Sequence, residues 1–317
     1  MAGILVTGAG GFLGGHVVRH LRTSGMEVLP ATRDGRGGSR RLDLRDPAGM
    51  GAALSGVESV VHCAVSDRAV TVDGTQALLD AATAAGVRRL VHFSSIAVYG
   101  EAAGAVTEET PLLSPDTPGY AGWKVAAEAA CLAARGIEVV RLRPTIVYGP
   151  GSPLWVGKMA ERIRAGVWGT FGEAGEGTCN LVHVDDVAGA VLAALSAPAA
   201  GQVFNVNGPE AVSWNAWFVR LAEAIGAPPL PAIPPGRLRA RSLLSLPFKA
   251  AARLRPGLAP RWVLGAPAGS EMALFARRAT YPTGAARDGL GWVPRVGLEE
   301  GLRDTTAWLL ARGTAGG

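Results

Sequence analysis

Ile4-Leu5-Val6-Thr7-Gly8-Ala9-Gly10-Gly11-Phe12-Leu13-Gly14 is the stretch that decides the fold. A short apolar run leads directly into a turn with glycines at positions 8, 11 and 14. The next apolar residues recur at helical spacing: Leu13, Val17, Val18 and Leu21. A glycine turn between a strand and a helix lets backbone amides and the helix dipole hold a pyrophosphate. The sequence therefore predicts a dinucleotide site at Gly8, Gly11 and Gly14.

Apolar runs and helix-period segments alternate along the first two-thirds of the chain. Strands are predicted at 4–7, 27–29, 59–62, 89–93 and 138–142. This alternation is typical of an α/β fold, here a doubly wound parallel sheet of the Rossmann type. The pattern loosens after residue 151, returns at 181–207 and then leaves again. We therefore expect a dinucleotide-binding domain of residues 1–151 and 181–207, with a smaller interleaved substrate-binding lobe of residues 152–180 and 208–317.

Length and composition indicate a globular enzyme. The chain has 317 residues, of which 48% are hydrophobic and 18% charged. The N-terminus has no basic region followed by a cleavage-type segment, so the sequence predicts a cytoplasmic protein, and no stretch predicts an integral membrane segment. Cys63, Cys131 and Cys179 are odd in number and far apart, which favours reduced core thiols. No ligand cluster predicts a metal site.

Basic residues concentrate in the second lobe. Between residues 231 and 278 the cations are Arg237, Arg239, Arg241, Lys249, Arg253, Arg255, Arg261, Arg277 and Arg278, against the single acid Glu271. This excess fits either a solvated surface or a site for phosphate-bearing substrates or an acidic partner. Nucleic acid is not expected, because no aromatic platform accompanies the charges. The segment 238–258 alternates apolar and basic residues and favours an amphipathic lid over a membrane-surface helix.

Tyr120-Ala-Gly-Trp-Lys124 and the strand-end residue Ser95 are the candidate catalytic residues. Residues i and i+4 of a helix project from one face, so Tyr120 and Lys124 are expected to share a cleft. A phenol is a weak acid, and a neighbouring ammonium favours its phenolate and lowers its pKa. Ser95 could donate a hydrogen bond to an oxygen that gains negative charge. Together these residues predict proton transfer to or from a carbonyl or alcohol oxygen.

The end of the second predicted strand bears on which nicotinamide cofactor binds. A carboxylate at this place accepts hydrogen bonds from the adenosine ribose hydroxyls, but the chain has Ala31-Thr32-Arg33 here. A guanidinium suits the additional phosphate of NADP, so Arg33 favours NADP over NAD. Asp34 follows directly and leaves NAD open as the alternative.

The chain resembles the extended short-chain dehydrogenase/reductases, specifically the NAD-dependent epimerase/dehydratase family. Beside the motifs above, the resemblance includes 43–46, 61–64, 72–75, 143–151, 182–188, 204–206 and 290–294. It implies that Tyr120 is the catalytic acid/base, that Lys124 holds the nicotinamide ribose, and that Ser95 orients the substrate carbonyl. It also implies a homodimer. The cofactor contacts that it implies are Phe12, Leu13, Asp43, Leu44, Cys63, Ala64, Val65, Pro144, Thr145 and Val147, beside the glycines, Arg33, Tyr120 and Lys124.

Departures from the family's pattern narrow the reaction. Sugar-nucleotide dehydratases of the family carry an Asp-Glu pair where this chain has Ile96 and Ala97, so dehydration lacks its acid and base. The epimerase-reductases of GDP-fucose synthesis place a cysteine at the position of Ala97, so their reaction is not expected of this chain either. The segment between Ala64 and the 72–75 motif is short, and Thr71 replaces an asparagine. One wall of the pocket is therefore trimmed, which admits bulkier or less polar substrates.

Three functions remain open at this stage. The first is a reductase or dehydrogenase that passes hydride between NADP(H) and a secondary alcohol or ketone, either a keto-sugar nucleotide or a hydrophobic ketone. The second is a sugar-nucleotide epimerase that retains NAD. The third is a non-catalytic nucleotide-sensing protein, which the presence of Ser95, Tyr120 and Lys124 disfavours.

Overall fold

A computed structural model of the chain describes residues 3–238, 240, 243–245, 248, 263 and 265–313. They divide into two compact units. The first unit comprises Met1–Val147, Val182–Pro209 and Tyr281–Val296. The second unit comprises Tyr148–Leu181, Glu210–Thr280 and Gly297–Gly317.

Strands and helices alternate through most of the chain. The strands are β1 Gly3–Thr7, β2 Val28–Thr32, β3 Arg40–Arg41, β4 Val57–His62, β5 Arg89–Phe93, β6 Gly104–Ala105, β7 Glu138–Pro144, β8 Ile146–Tyr148, β9 Thr178–His183, β10 Val203–Val206, β11 Ala211–Ser213 and β12 Ala279–Thr280. The helices are α1 Phe12–Thr23, α2 Met50–Ala53, α3 Gly74–Ala84, α4 Tyr120–Ala133, α5 Lys158–Arg164, α6 Val184–Ser196, α7 Trp214–Ala224, α8 Gly269–Ala276, α9 Gly284–Leu290 and α10 Leu298–Gly313.

A seven-stranded parallel sheet forms the centre of the first unit, in the order β10-β7-β5-β4-β1-β2-β3. Successive side chains of a strand point to opposite faces, so each buried strand contributes to two cores. Val6, Val61 and Val91 pack in the core that contains residues of α1, α6 and α9. Their neighbours Leu5, Val60 and Leu90 pack with residues of α2, α3 and α4. The predicted doubly wound α/β fold is confirmed.

The predicted boundary at residue 208 differs from the compact units, because Tyr281–Val296 belongs to the first unit. Asp186, at the start of α6, is the reason. Its carboxylate accepts hydrogen bonds from the amides of Arg295 at 2.8 Å and Val296 at 3.0 Å, while Trp292 Nε1 donates to its carbonyl oxygen at 3.1 Å. These bonds tie a segment that is distant in sequence to α6 of the first unit.

The second unit contains a strand pair and an aromatic core. Strand β11 pairs antiparallel with the first residues of β9, from Thr178 to Asn180. Five rings pack against one another: Trp168, Phe171, Trp214, Phe218 and Phe275. A role of this unit in substrate binding stays a prediction.

The structure describes contacts for part of the basic stretch between residues 231 and 278. Lys158 and Arg162 of α5 hold its one acid, Glu271, at 3.2 and 3.0 Å. Most of the segment 238–258 lies outside the described residues, so the lid remains a prediction. Among the helices that the structure describes, none combines the length and the apolar character that crossing a membrane requires.

Candidate active site

The glycine turn between β1 and α1 has no room for a side chain at Gly8 or Gly14. Gly8 has φ +65, and a Cβ there would lie 2.9 Å from the amide nitrogen of Ala64. A Cβ at Gly14 would overlap the carbonyl oxygen of Gly8, to which the amide of Gly11 donates at 2.9 Å. Gly11 also precedes the first residue of α1 and has no side chain to bond the first helical amides. The turn therefore fits the pyrophosphate of a dinucleotide cofactor, as predicted from the glycine spacing.

A hydrogen-bonded set of side chains fixes the loop after β4. Thr7 Oγ1 lies 2.8 Å from His62 Nδ1 and accepts from the amide of Ala64 at 3.2 Å. The other ring nitrogen of His62 lies 3.0 Å from Thr75 Oγ1. Burial lowers the pKa of His62 to about 3, so the ring is neutral. His62 thus has a structural role beside the glycine turn, and it orients the backbone of the predicted cofactor contacts Cys63, Ala64 and Val65.

The edge formed by β2 and β3 carries more cations than the sequence argument counted. Arg33 is exposed immediately after β2. Arg36 lies near it in the chain and pairs with Asp34 at 3.0 Å, and Arg41 is the register partner of Thr32. Asp34 is ionised, because the amide of Arg36 donates to it and holds its pKa below the usual range. Spacing alone could have indicated Arg36, but Arg41 required the β2–β3 pairing.

The remaining predicted cofactor residues line the carboxyl ends of strands in the first unit or follow them. Asp43 accepts from the amide of Arg45 at 3.0 Å, and Leu44 is buried. Pro144, at the end of β7, pairs with Val206, and Thr145 Oγ1 donates to Asn207 Oδ1 at 3.0 Å. Phe12 and Leu13 begin α1, and Val147 lies in β8. Their contacts with a cofactor stay predictions.

Ser95, Tyr120 and Lys124 come together at the carboxyl end of β5. Ser95 follows this strand and its hydroxyl accepts from the amide of Ala97 at 3.2 Å, which caps a short helical turn. Tyr120 begins α4, and the side chain of Ser95 lies near enough to its hydroxyl to act on the Tyr120 pKa. One turn later Lys124 is only 4% exposed, and its Nζ donates to the carbonyl oxygen of Phe93 at 2.6 Å.

Two glycines that the sequence argument did not use place the start of α4. Gly119 has φ +89 and precedes the first helical residue, a conformation that L side chains rarely adopt. A Cβ at Gly122 would overlap the carbonyl oxygen of Thr117. The chain can therefore fold back closely on the first turn of the helix, which fixes the position of Tyr120.

The expected lowering of the Tyr120 pKa is not observed. Burial of the hydroxyl raises its pKa above the usual range, and the neighbouring Ser95 side chain offsets this only in part. The ring as a whole keeps 44% of its surface exposed. Lys124 Nζ lies 5.9 Å from the centre of the Tyr120 ring and bonds to Phe93, so the two groups are not directly paired. A neutral phenol fits proton donation in the reductive direction.

Burial lowers the pKa of Lys124 to about 8. The folded state then binds this proton more weakly than the unfolded chain does, so Lys124 costs stability below pH 8 and the cost falls as pH rises further. We expect Lys124→Met to stabilise the protein at pH 7 by about 2 kcal/mol, after allowing for the lost bond to Phe93. Urea unfolding at pH 7 and at pH 9.5 measures this, and the gain should shrink at the higher pH. Lys158→Met, at a part-exposed ion pair, is the control; an equal gain there would contradict the argument.

The sheet, the glycine turn and the Ser95–Tyr120–Lys124 group define an NAD(P)-dependent enzyme of the extended short-chain dehydrogenase/reductase type. Within this class, the model of the NAD dependent epimerase/dehydratase family matches residues 4–207, and the chain belongs to that family.

Similar proteins include reductases and sugar-nucleotide enzymes. The chain is 31% identical to a 2-alkyl-3-oxoalkanoate reductase of Stenotrophomonas maltophilia over 95% of this chain and 97% of that protein. It is 31% identical to sterol demethylase protein B of Methylococcus capsulatus over 98% of each chain. Among solved structures, MoeE5 in complex with UDP-glucose and NAD is 27% identical, with a TM-score of 0.73 over 98% of this chain and 99% of that chain.

Proposed function

We propose that the protein is a reductase or dehydrogenase that transfers hydride between NADP(H) and the carbon of a secondary alcohol or ketone. One observation carries the proposal: Ser95, Tyr120 and Lys124 meet at one end of β5. The glycine turn that fits a dinucleotide lies at the same, carboxyl edge of the sheet, after β1. A phenol, a hydroxyl and an ammonium are the groups that proton transfer at a carbonyl oxygen requires.

Each of these side chains has a separate task in reduction. The nicotinamide cofactor, when bound, supplies the hydride. Tyr120 donates its phenolic proton to the carbonyl oxygen, and Ser95 donates a hydrogen bond that stabilises negative charge on that oxygen. Lys124 provides a positive charge that favours the phenolate left on Tyr120. In the oxidative direction the phenolate accepts the proton.

The preference for NADP rests on the β2–β3 edge. Arg33, Arg36 and Arg41 gather around the end of β2, and Arg36 already neutralises the one acid, Asp34. A phosphate on the adenosine ribose would meet unpaired guanidinium charge there, and such charge-assisted hydrogen bonds are the strong ones.

Within this proposal we favour a hydrophobic ketone over a keto-sugar nucleotide. The residues after Ser95 are apolar, Ile96 and Ala97, and Val65 on the shortened loop is 46% exposed. The similar proteins named for 2-alkyl-3-oxoalkanoate reduction and sterol demethylation support the same class of substrate.

An epimerase that acts on a sugar nucleotide and retains NAD is the second candidate. The solved structure with UDP-glucose and NAD supports it, as does Asp34, whose carboxylate could accept from a ribose hydroxyl. Such an enzyme keeps its cofactor through the cycle and shows no net consumption of NADH or NADPH. Co-purified NAD would favour this candidate.

A homodimer in the cytoplasm is part of the proposal. The outer face of α4 supports the dimer, because Ala129 is exposed and Leu132 keeps 56% of its surface exposed. Apolar and small residues on an exposed helix permit the close approach of a second helix.

The cofactor preference is tested by titrating cofactor-stripped protein with NADPH and NADH in a calorimeter. We expect tighter binding of NADPH, followed by turnover of NADPH with a panel of hydrophobic ketones. In Arg33→Gln the affinity for NADPH should fall about tenfold while that for NADH stays unchanged, because one charge-assisted bond to the phosphate is lost.

Arg22→Gln is the matched control, since this arginine donates to Val28 at the opposite end of β2. Its two affinities should equal those of the unmodified protein. Rejection of NADPH together with co-purified NAD would overturn the reductase proposal and leave the epimerase. If Arg33→Gln lost equal affinity for NADH and for NADPH, Arg33 would not bind the phosphate that distinguishes the two cofactors.

A further inference from the structure

Glu128 occupies the same face of α4 as Tyr120 and Lys124. The three residues follow at intervals of four, the spacing at which side chains of a helix are neighbours. The Glu128 side chain is 1% exposed. A carboxylate at this depth is stable only if it is paired, and the pairing shows how its position is fixed.

Arg143 of β7 holds the Glu128 carboxylate in a two-pronged pair. Its Nε and Nη2 donate to the two carboxylate oxygens at 2.8 and 2.6 Å, and Arg141 Nη1 adds a third bond at 3.3 Å. Burial alone would raise the pKa of Glu128, but the hydrogen bonds from Arg143 outweigh it and the pKa lies below its usual range. Glu128 is therefore ionised at neutral pH.

The same arginine connects Glu128 to the element that carries Ser95. Arg143 Nη1 donates to the hydroxyl of Tyr99 at 2.7 Å, and that hydroxyl donates to Asn205 Oδ1 of β10 at 2.8 Å. Tyr99 ends the helical turn that Ser95 caps. One buried network thus joins α4, the Ser95 turn, β7 and β10. Contacts within this network fix the position of the Glu128 carboxylate.

The groups that face Lys124 come from β4, the loop after it, β5 and α4. They are His62, Cys63, His92, Tyr120, Glu128 and Cys131. Burial lowers the pKa of both histidines and raises that of the tyrosine and of both thiols, to about 12 for Cys131, so all five are neutral at pH 7. Among the described residues that act on Lys124, Glu128 is then the anion.

We propose that Glu128 is a positioning residue that keeps the buried Lys124 in its ammonium form, with Arg143 as the anchor that holds the carboxylate one helical turn away. Removal of the negative charge would leave the buried ammonium of Lys124 without this anion one helical turn away. The inference rests on the proposed function, because the charge of Lys124 matters to the reaction through Tyr120.

The chain allows the charge of Lys124 to be measured directly, since it contains three lysines, Lys124, Lys158 and Lys249. Protein labelled with ¹³C and ¹⁵N lysine is titrated by NMR without cofactor or substrate, and Lys158→Arg with Lys249→Arg assigns the Lys124 signal. In Glu128→Gln we expect the pKa of Lys124 to fall by about one unit or more. An unchanged pKa would overturn the proposal.

Glu138→Gln is the matched control, because Glu138 also pairs with an arginine: Nε and Nη2 of Arg89 both donate to its Oε2, but at the start of β7. It should leave the Lys124 titration unchanged; an equal fall there would overturn the proposal. If Glu128→Gln does not fold, Glu128→Asp decides, since it keeps a carboxylate for Arg143 but withdraws the charge by one methylene group, so the pKa of Lys124 should still fall. No fall or rise in these titrations depends on ketone reduction, so failure of the proposed function would be seen separately.

Discussion

Tyr120→Phe is expected to lower kcat for ketone reduction by about 10²–10⁴-fold, the range that general acid catalysis contributes. The substitution removes the phenolic proton and leaves the ring, which begins α4 and is 44% exposed. The fold and the glycine turn do not depend on this hydroxyl, so the affinity for NADPH and the thermal unfolding midpoint should be unchanged. Steady-state kinetics with the best ketone of the panel, beside calorimetry, measure both.

Tyr281→Phe is the control for this experiment, because it removes a phenol from a buried residue of the same unit. It should retain most of kcat. A Tyr120→Phe protein whose kcat stays within about tenfold of the unmodified value would show that another group donates the proton. A loss of NADPH binding in Tyr120→Phe would instead assign the tyrosine to cofactor binding.

The pH profile of this reaction follows from the same groups. In the reductive direction the neutral phenol of Tyr120 is the active form, and its raised pKa keeps it protonated through neutral pH. Lys124, with a pKa of about 8, loses its charge first as pH rises. Loss of that charge removes the stabilisation of the phenolate that forms on Tyr120, so the alkaline limb of kcat reports on Lys124.

The sheet and the candidate catalytic residues could be predicted because their signals are local. Gly8, Gly11 and Gly14 lie within one turn, and Tyr120 and Lys124 lie within one helical turn. Glycine positions and i to i+4 spacing translate directly into backbone and side-chain geometry. Ser95 was proposed from its place at the end of a strand, but its approach to Tyr120 requires β5 and α4 to pack together.

The features of the fold and of the site that the sequence did not predict depend on contacts between distant parts of the chain. The pairing of Glu128 with Arg143 joins α4 to β7, and the tie between Asp186 and Val296 moves a C-terminal segment into the first unit. The pKa of Tyr120 is set by how far burial removes its hydroxyl from water, which no local pattern encodes. Sequence reasoning therefore gave Tyr120 as the candidate proton donor, which stays a prediction, but gave the wrong direction for its pKa.

Gly14→Ala is expected to weaken NADPH and NADH binding by about a hundredfold. An added Cβ overlaps the carbonyl oxygen of Gly8, a backbone atom that cannot rotate away as a flexible side chain could. The turn between β1 and α1 must then shift away from the geometry that holds the pyrophosphate, and restoring this geometry on binding costs about 3 kcal/mol, which corresponds to this loss of affinity. Because the strain is present without cofactor, the thermal unfolding midpoint should fall as well.

Gly15→Ala is the control for this experiment. It separates the effect of a clash within the glycine turn from the general effect of adding a methyl group to α1. A Cβ at Gly15 lies 3.5 Å from the carbonyl oxygen of Ala9, an ordinary contact, and Gly15 is inside the helix. Alanine there should stabilise the protein by about 0.5–1 kcal/mol and leave both cofactor affinities unchanged. Calorimetric titration and thermal unfolding of the two variants side by side decide the matter. Equal affinities in Gly14→Ala and Gly15→Ala would mean that the turn does not hold the pyrophosphate, because of the two added methyl groups only that of Gly14→Ala overlaps the backbone of the turn.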